Sequence, residues 1–309
     1  MKRQYSALLR FFVGISIVLV LLKNVGFSTI FTTLSSMNIW LVISAFVLYA
    51  VGVWLGSTNV WLLIRAIGNK LAYVKLFKDY MRAWSLGLFL PGKVGDVSIV
   101  YFLKKDGIPL GEAAAVSIAD KFTTATTLFL FVFFGFLLSF LSFLSLPNDL
   151  INAIKIVAAV AAAIICILFI IMSNFTRSLI KKFILRTYAK KFAGFYKTFI
   201  SFFTSRLKAL LYNYGITIVK WMMNFIMMYI LYASVDQHVP LLLIMIINST
   251  VLLISAIPIT PSGIGIKEVS SVYFYGLIGI SAPIVLSVSI VGTLFNYLTA
   301  SMAMLLIKR

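Results

Sequence analysis

A chain of 309 residues with one cysteine and one histidine is short of the side chains on which several kinds of chemistry rest. Cys166 and His238 cannot furnish a zinc site of the usual Cys/His kind, and a lone thiol closes no internal disulfide. Cys166 sits in an apolar run, where it reads as a buried, inert thiol. Acidic residues are also few, eight Asp and Glu against 27 Lys and Arg. Carboxylates remain as ligands for Mg²⁺ or Ca²⁺, but neither a metal nor a cofactor is expected. Charge of either sign accounts for 11% of residues while 62% are apolar, too little polar surface to cover a water-soluble globule of this length. The alternation of a membrane β-strand is missing too. Runs such as Val157 to Met172 are apolar on every face, which excludes an outer-membrane barrel.

What the chain does hold is apolar stretches of about 20 residues, each able to cross about 30 Å of hydrocarbon as helix. The first follows Lys2, Arg3 and Arg10 and is trailed by Lys23-Asn24-Val25-Gly26-Phe27. No small-x-small cleavage site is present there, so it reads as an uncleaved first span. The fold class is therefore all-α: a polytopic helical membrane protein with about six to eight transmembrane helices.

A net charge of +19 raises the question of nucleic acid, but the basic residues occupy alternate connections, which is a topology signal. Residues 65–82 carry Arg65, Lys70, Lys75, Lys78 and Arg82 against Asp79, and 174–208 carries nine basic residues and no acid. Both belong in the cytoplasm. The connections near 24–38, 146–150 and 235–239 hold only Asp149 and Asp236 and belong outside. Both termini then fall inside, and no nucleic-acid partner is expected. Within 174–207, Leu179, Phe183, Phe192, Phe195, Phe199 and Phe203 recur at helical spacing between lysines and arginines. This pattern fits a basic amphipathic helix on an anionic leaflet, and equally a simple positive-inside loop.

Two segments interrupt the helical regularity. Trp84 to Val97 places Pro91-Gly92, Lys93 and Asp96 between short apolar arms, and Ile257 to Glu268 repeats Pro and Gly followed by Lys267-Glu268. The flanks of the first are both basic, so it should enter from the cytoplasm and return as a re-entrant hairpin. The second reads either as a hairpin from the outside or as two ordinary crossings. In order, 7–22, 39–64, 80–103 and 113–146 are followed by 151–173, 208–234, 240–280 and 283–307. Each half (1–150 and 151–309) is two spans, a broken hairpin and one more span. The halves are inverted, within one transmembrane domain. Inverted repeats with broken helices belong to alternating-access transporters. Charges at such breaks cost about 2.5–3.5 kcal/mol each at mid-bilayer unless paired or wet. Lys93, Asp96, Lys267 and Glu268 therefore either line a substrate cavity or form structural pairs.

The segments Leu90-Pro91-Gly92-Lys93-Val94-Gly95-Asp96, Asp120-Lys121 and Pro261-Ser262-Gly263-Ile264-Gly265-Ile266-Lys267-Glu268 resemble the motifs of the lysylphosphatidylglycerol synthase membrane domain and its stand-alone flippase-like relatives. Their order and spacing cover nearly the whole chain. Where that family tends to carry Arg, this chain has Lys93, Lys121 and Lys267, which keep the charge without the bidentate fork. It also has Ile99, Thr124 and Thr293 where the family tends to carry Arg, Asp and Arg.

The resemblance implies a protein that moves a phospholipid or lipid-linked headgroup between leaflets of the cell membrane. The chain ends after its last span, where the bifunctional relatives append an aminoacyl-transferase domain. The candidate substrate-binding set is Pro91, Gly92, Lys93, Gly95, Asp96, Asp120, Lys121, Lys220, Pro261, Gly263, Gly265, Lys267 and Glu268. Lys220, near the middle of 208–234, either binds a headgroup or pairs with Asp120 or Glu268. Asn248, Ser249, Thr250 and Asn296 read as interhelical hydrogen bonds, and Met222, Met223, Met227 and Met228 as adaptable packing.

The expected partner is an anionic phospholipid or lipid-linked headgroup, with a homo-oligomer or a soluble enzyme partner compatible with the sequence. Two other classes stay open, an intramembrane lipid-modifying enzyme and a non-transporting subunit for such an enzyme. No nucleophile–base pair with a recognisable spacing speaks for the enzyme. The charge pattern makes a direct prediction. Single cysteines at Ser28 and Gln237 should label from outside intact cells, and one at Thr187 only after permeabilisation; external labelling at Thr187 would reverse the orientation.

Overall fold

The structure, a computed structural model, describes residues 2–89, 94–141, 147–152, 155, 156, 159, 193–256, 260 and 263–307. Among these residues the regular structure is helical. The elements are α1 (Lys2–Val25), α2 (Phe27–Ser35), α3 (Ile39–Ala66), α4 (Tyr73–Phe89), α5 (Val94–Lys105), α6 (Leu110–Phe140), α7 (Phe195–Phe203), α8 (Leu207–Ala233), α9 (Leu241–Ser255), α10 (Ile266–Gly276) and α11 (Ala282–Ile307). Four of them, α3, α6, α8 and α11, are long and apolar enough to cross a membrane alone. The expected span at 151–173 lies almost wholly outside the described residues.

The first span is longer than 7–22, and the connection expected at 24–38 is mostly helix. Gly26 has φ +93° and turns α2 by 83° from α1, a backbone conformation glycine adopts without the Cβ penalty. Asn38 then starts α3. Its side chain accepts from the Trp40 and Leu41 backbone N–H groups at 3.0 and 3.4 Å, satisfying donors that a helix start leaves free. The Asn38 N–H donates to the Ser234 carbonyl at 2.9 Å, so the connections near 24–38 and 235–239, which hold no Lys or Arg, share one end of the bundle.

The basic connections gather at the other end. Lys75 pairs with Asp106 at 2.6 Å, joining the root of α4 to the loop after α5, and Arg82 pairs with Asp79 at 3.0 Å. Gly194 approaches Glu112 at the start of α6, which brings 193–207 to the same end. The segment 174–192 lies outside the described residues. The part that is described departs from a leaflet-bound helix: α7 buries Phe199 and Phe202 against α6 and α8. Phe203 also meets Phe122 edge-on at 5.4 Å. The aromatic stripe at 195–203 is core packing.

The two breaks are hairpins that open at opposite ends. Helices α4 and α5 pack on each other and are tied at their root by Lys75 and Asp106. In the second, Gly263 lies beside Ser255 and Tyr275 donates to Asn248 at 3.1 Å, so α9 and α10 run antiparallel. Tyr275 also stacks obliquely on Tyr232 at 4.8 Å, which places both mouths of this hairpin at the Asn38 end. With 15 and 11 residues, α9 and α10 reach about 22 and 16 Å at 1.5 Å per residue, short of the roughly 30 Å hydrocarbon core. The segment 240–280 is therefore re-entrant.

Its tip rests on the middle of α1. A Cβ at Gly265 would sit 2.8 Å from the Gly14 carbonyl oxygen, and one at Gly14 would sit 2.9 Å from the Ile264 carbonyl. Packing is reciprocal across the halves: α3 lies against α8, α6 against α9, and α11 against α4. Large apolar side chains such as Phe31, Trp40 and Tyr212 stay exposed, as lipid-facing residues do. Glycines such as Gly14 and Gly265 let elements approach backbone to backbone.

The tip contact gives a test. Gly265 has φ +84° and faces backbone, so Gly265→Ala should cost about 2–4 kcal/mol from strain and overpacking together. Gly276, with nothing near its would-be Cβ, should tolerate Ala with a change within about 1 kcal/mol. Thermal unfolding in detergent compares them, and equal midpoints would refute the close tip contact.

Candidate functional site

A cavity of about 280 Å³ lies where both hairpins meet the long spans. From α3 it receives Tyr49, Gly52 and Val53, and from α4 Tyr80 and Trp84. Helix α8 contributes Lys220, Trp221, Asn224, Met227 and Met228; α9 gives Asn248 and Val251; α10 gives Lys267 and Ser271; α11 gives Ser289, Gly292 and Asn296. The positions on α3, α8 and α11 fall near the middle of those helices, the depth at which transporter sites are built. The spacing Tyr49, Gly52, Val53 and the pair Lys220, Asn224 each keep one helical face on the cavity. At Gly56, one turn along α3, a Cβ would lie 2.5 Å from the Tyr80 hydroxyl, so glycine is what lets α4 approach.

The charged residues among the described lining are Lys220 and Lys267. The Lys220 ammonium stands 5.4 Å from the Trp221 ring centroid, a cation–π distance, and Asp120 lies within electrostatic reach of it. Lys267 occupies the first turn of α10 and lines the same space. Among the described residues the buried Trp221 indole N–H has no acceptor. Asn296 accepts from the Tyr49 hydroxyl at 2.8 Å and donates to the Gly292 carbonyl at 2.8 Å. It and Asn248 are thus interhelical hydrogen-bonding residues that also line the cavity.

The candidate set distributes unevenly over this geometry. Lys220 and Lys267 face the cavity together. The Glu268 carboxylate instead accepts the Gly265 backbone N–H at 2.7 Å, capping α10, and no Lys267–Glu268 pair occurs among the described residues. Gly263 and Gly265 shape the tip, with φ +74° and +84°. Asp120 is buried on α6, where Asn213 donates to it at 3.4 Å. Asn213 reaches the Asn59 carbonyl as well, and Asn59 donates to Thr217 at 2.8 Å. These residues form a polar seam joining α3, α6 and α8, behind the cavity wall. Lys121, its neighbour, is exposed and lines no part of the cavity.

Pro91, Gly92, Lys93 and Pro261 lie outside the described residues, while Gly95 and Asp96 fall in the first turn of α5 with side chains outside the description. Tyr49, Tyr80, Trp84, Trp221, Asn224, Ser271 and Ser289 were not anticipated as lining. Trp221 and Asn224 lie within a turn of Lys220 and Ser271 one turn from Lys267, whereas Tyr49, Tyr80, Trp84 and Ser289 carry no such sequence signal.

The capping geometry separates Glu268 from its neighbour. Glu268→Leu should cost about 1–2 kcal/mol of stability through the lost cap, and Glu268→Gln much less, since its amide oxygen still accepts. Adding Lys267→Met to Glu268→Leu should not restore stability. Recovery in that double variant would show that the two residues pair after all.

No curated protein matches the chain. The family model described as the lysylphosphatidylglycerol synthase TM region matches residues 7–303. The chain is thus a multi-pass membrane protein that belongs to the lysylphosphatidylglycerol synthase TM region family, one tied to lipid biosynthesis or flipping.

Proposed function

We propose that the protein moves an anionic phospholipid or lipid-linked headgroup between the leaflets of the cell membrane, with both termini cytoplasmic. The observation that carries this reading is the mid-bundle cavity with its two lysines. A phosphodiester supplies a negative charge and oxygen acceptors for both. At about 280 Å³ the cavity lies near the lower end of the roughly 300–1,000 Å³ range of small-ligand sites. It suits a headgroup whose acyl tails stay in the bilayer.

Two further features support transport over catalysis. The hairpins open at opposite ends and meet the cavity through α4 and α10, the arrangement by which one half rocks against the other about a fixed site. The basic connections at one end form a surface that collects anionic lipid. The described lining holds amides, hydroxyls, indoles and ammonium groups. It holds neither a carboxylate nor a histidine to serve as general base beside a nucleophile.

Purified protein in liposomes tests the reading. Wild type should accelerate movement of a fluorescent phosphatidylglycerol across the bilayer. Lys220→Met and Lys267→Met should each slow it at least tenfold while the protein still inserts. Chemical conversion of the lipid would favour the enzyme class, and inactivity without a cytosolic fraction would favour a subunit. Unchanged transport in both lysine variants would refute the cavity as the route.

A further inference from the structure

We infer that the cavity selects headgroups carrying net negative charge and rejects the lysylated lipid for which the family is named. This rests on the reading above that the cavity holds a headgroup, and it concerns which headgroup. An aminoacylated phosphatidylglycerol brings one phosphate and two ammonium groups, one on the α-carbon and one on the side chain. Such a ligand needs carboxylates or aromatic cages for its cations as well as a cation for its phosphate.

The described lining offers the reverse balance. Lys220 and Lys267 face the space, and no Asp or Glu among the described residues lines it. Two candidate-site carboxylates with described side chains are engaged elsewhere. Glu268 is turned back onto the Gly265 N–H at 2.7 Å, and Asp120 is buried beyond the wall beside Asn213. The face of Trp221, one of the indoles at hand for a ligand cation, is already occupied by Lys220 at 5.4 Å. A second ammonium entering this cavity meets like charge at close range in a medium of low dielectric, which costs affinity. A plain phosphodiester meets two cations.

Binding is read first, because it does not depend on transport. Trp84 and Trp221 both line the cavity, so intrinsic fluorescence of the detergent-solubilised full chain reports occupancy. Short-chain phosphatidylglycerol should bind at least tenfold more tightly than its lysylated counterpart at equal detergent. Inorganic phosphate should bind at least tenfold more weakly than the lipid. Lys267→Met should collapse the ratio between the two lipids. So should Ser271→Asp, which sets a carboxylate one turn from Lys267, and this variant serves if the first fails to fold.

Equal or tighter binding of the lysylated lipid overturns the inference, as does no lipid binding at all. Phosphate binding as tightly as the lipid would make the ligand a soluble oxyanion and overturn the lipid assignment. Liposome assays with both lipids then separate the two claims. Selective binding without movement sinks transport and leaves selectivity standing, whereas equal movement of both lipids sinks selectivity and leaves transport standing.

Discussion

Hydrocarbon offers no water to replace a missing backbone partner, so a helix that stops inside the bilayer must find donors and acceptors in the protein itself. The second hairpin meets this constraint at its described residues. Glu268 accepts the Gly265 N–H. Gly263 and Gly265 take positive φ, and Gly14 lets α1 close over the tip at backbone-to-backbone distance. These contacts fix the start of α10 at mid-bundle, and with it the position of Lys267. A continuous span through 240–280 would have carried that charge elsewhere. The break therefore delivers a cation to the middle of the membrane.

Two cations at that depth are a cost that the described neighbours do not fully offset. Each charge is worth about 2.5–3.5 kcal/mol of insertion penalty, while a cation–π contact such as that of Lys220 with Trp221 returns about 0.5–2 kcal/mol. Asp120 acts on Lys220 from behind the polar seam, and Lys267 has no ion pair among the described residues. The remainder has to come from water or from an anion within the cavity. That is the physical reason for regarding a lipid phosphate as the missing partner. Asn59, Asp120, Asn213 and Thr217 meanwhile hold α3, α6 and α8 in register, so the wall carrying Lys220 does not shift to escape the cost.

Much of this architecture was legible in the amino-acid order, because spans and breaks are written in composition. The absence of charge over 39–64, the apolar character of 208–234 and the Pro and Gly interruptions near 91 and 261 located spans and hairpins to within a few residues. Lys220 and Lys267 were visible as charges in apolar surroundings. What the sequence could not show was direction. Glu268 follows Lys267 immediately and reads as its partner. The helix start turns the one side chain back to cap the chain and sends the other into the cavity. The aromatic residues of 195–203 misled for a related reason. An amphipathic stripe has the same spacing whether it meets lipid or another helix, and here it meets α6. Tyr49, Tyr80 and Trp84 carry no signal that separates a cavity wall from a lipid face.

The account stands on a single spatial claim, that a lipid phosphate sits against the two cavity lysines. Solid-state NMR measures it directly, as the dipolar coupling between ¹⁵N-labelled lysine ammonium groups and the ³¹P of phosphatidylglycerol in proteoliposomes. With Lys220 and Lys267 replaced in turn to assign the signals, the account predicts a contact within about 6 Å, the range of a direct charge pair, that disappears for each variant. Lipid that crosses the bilayer without any such contact to either lysine would contradict it.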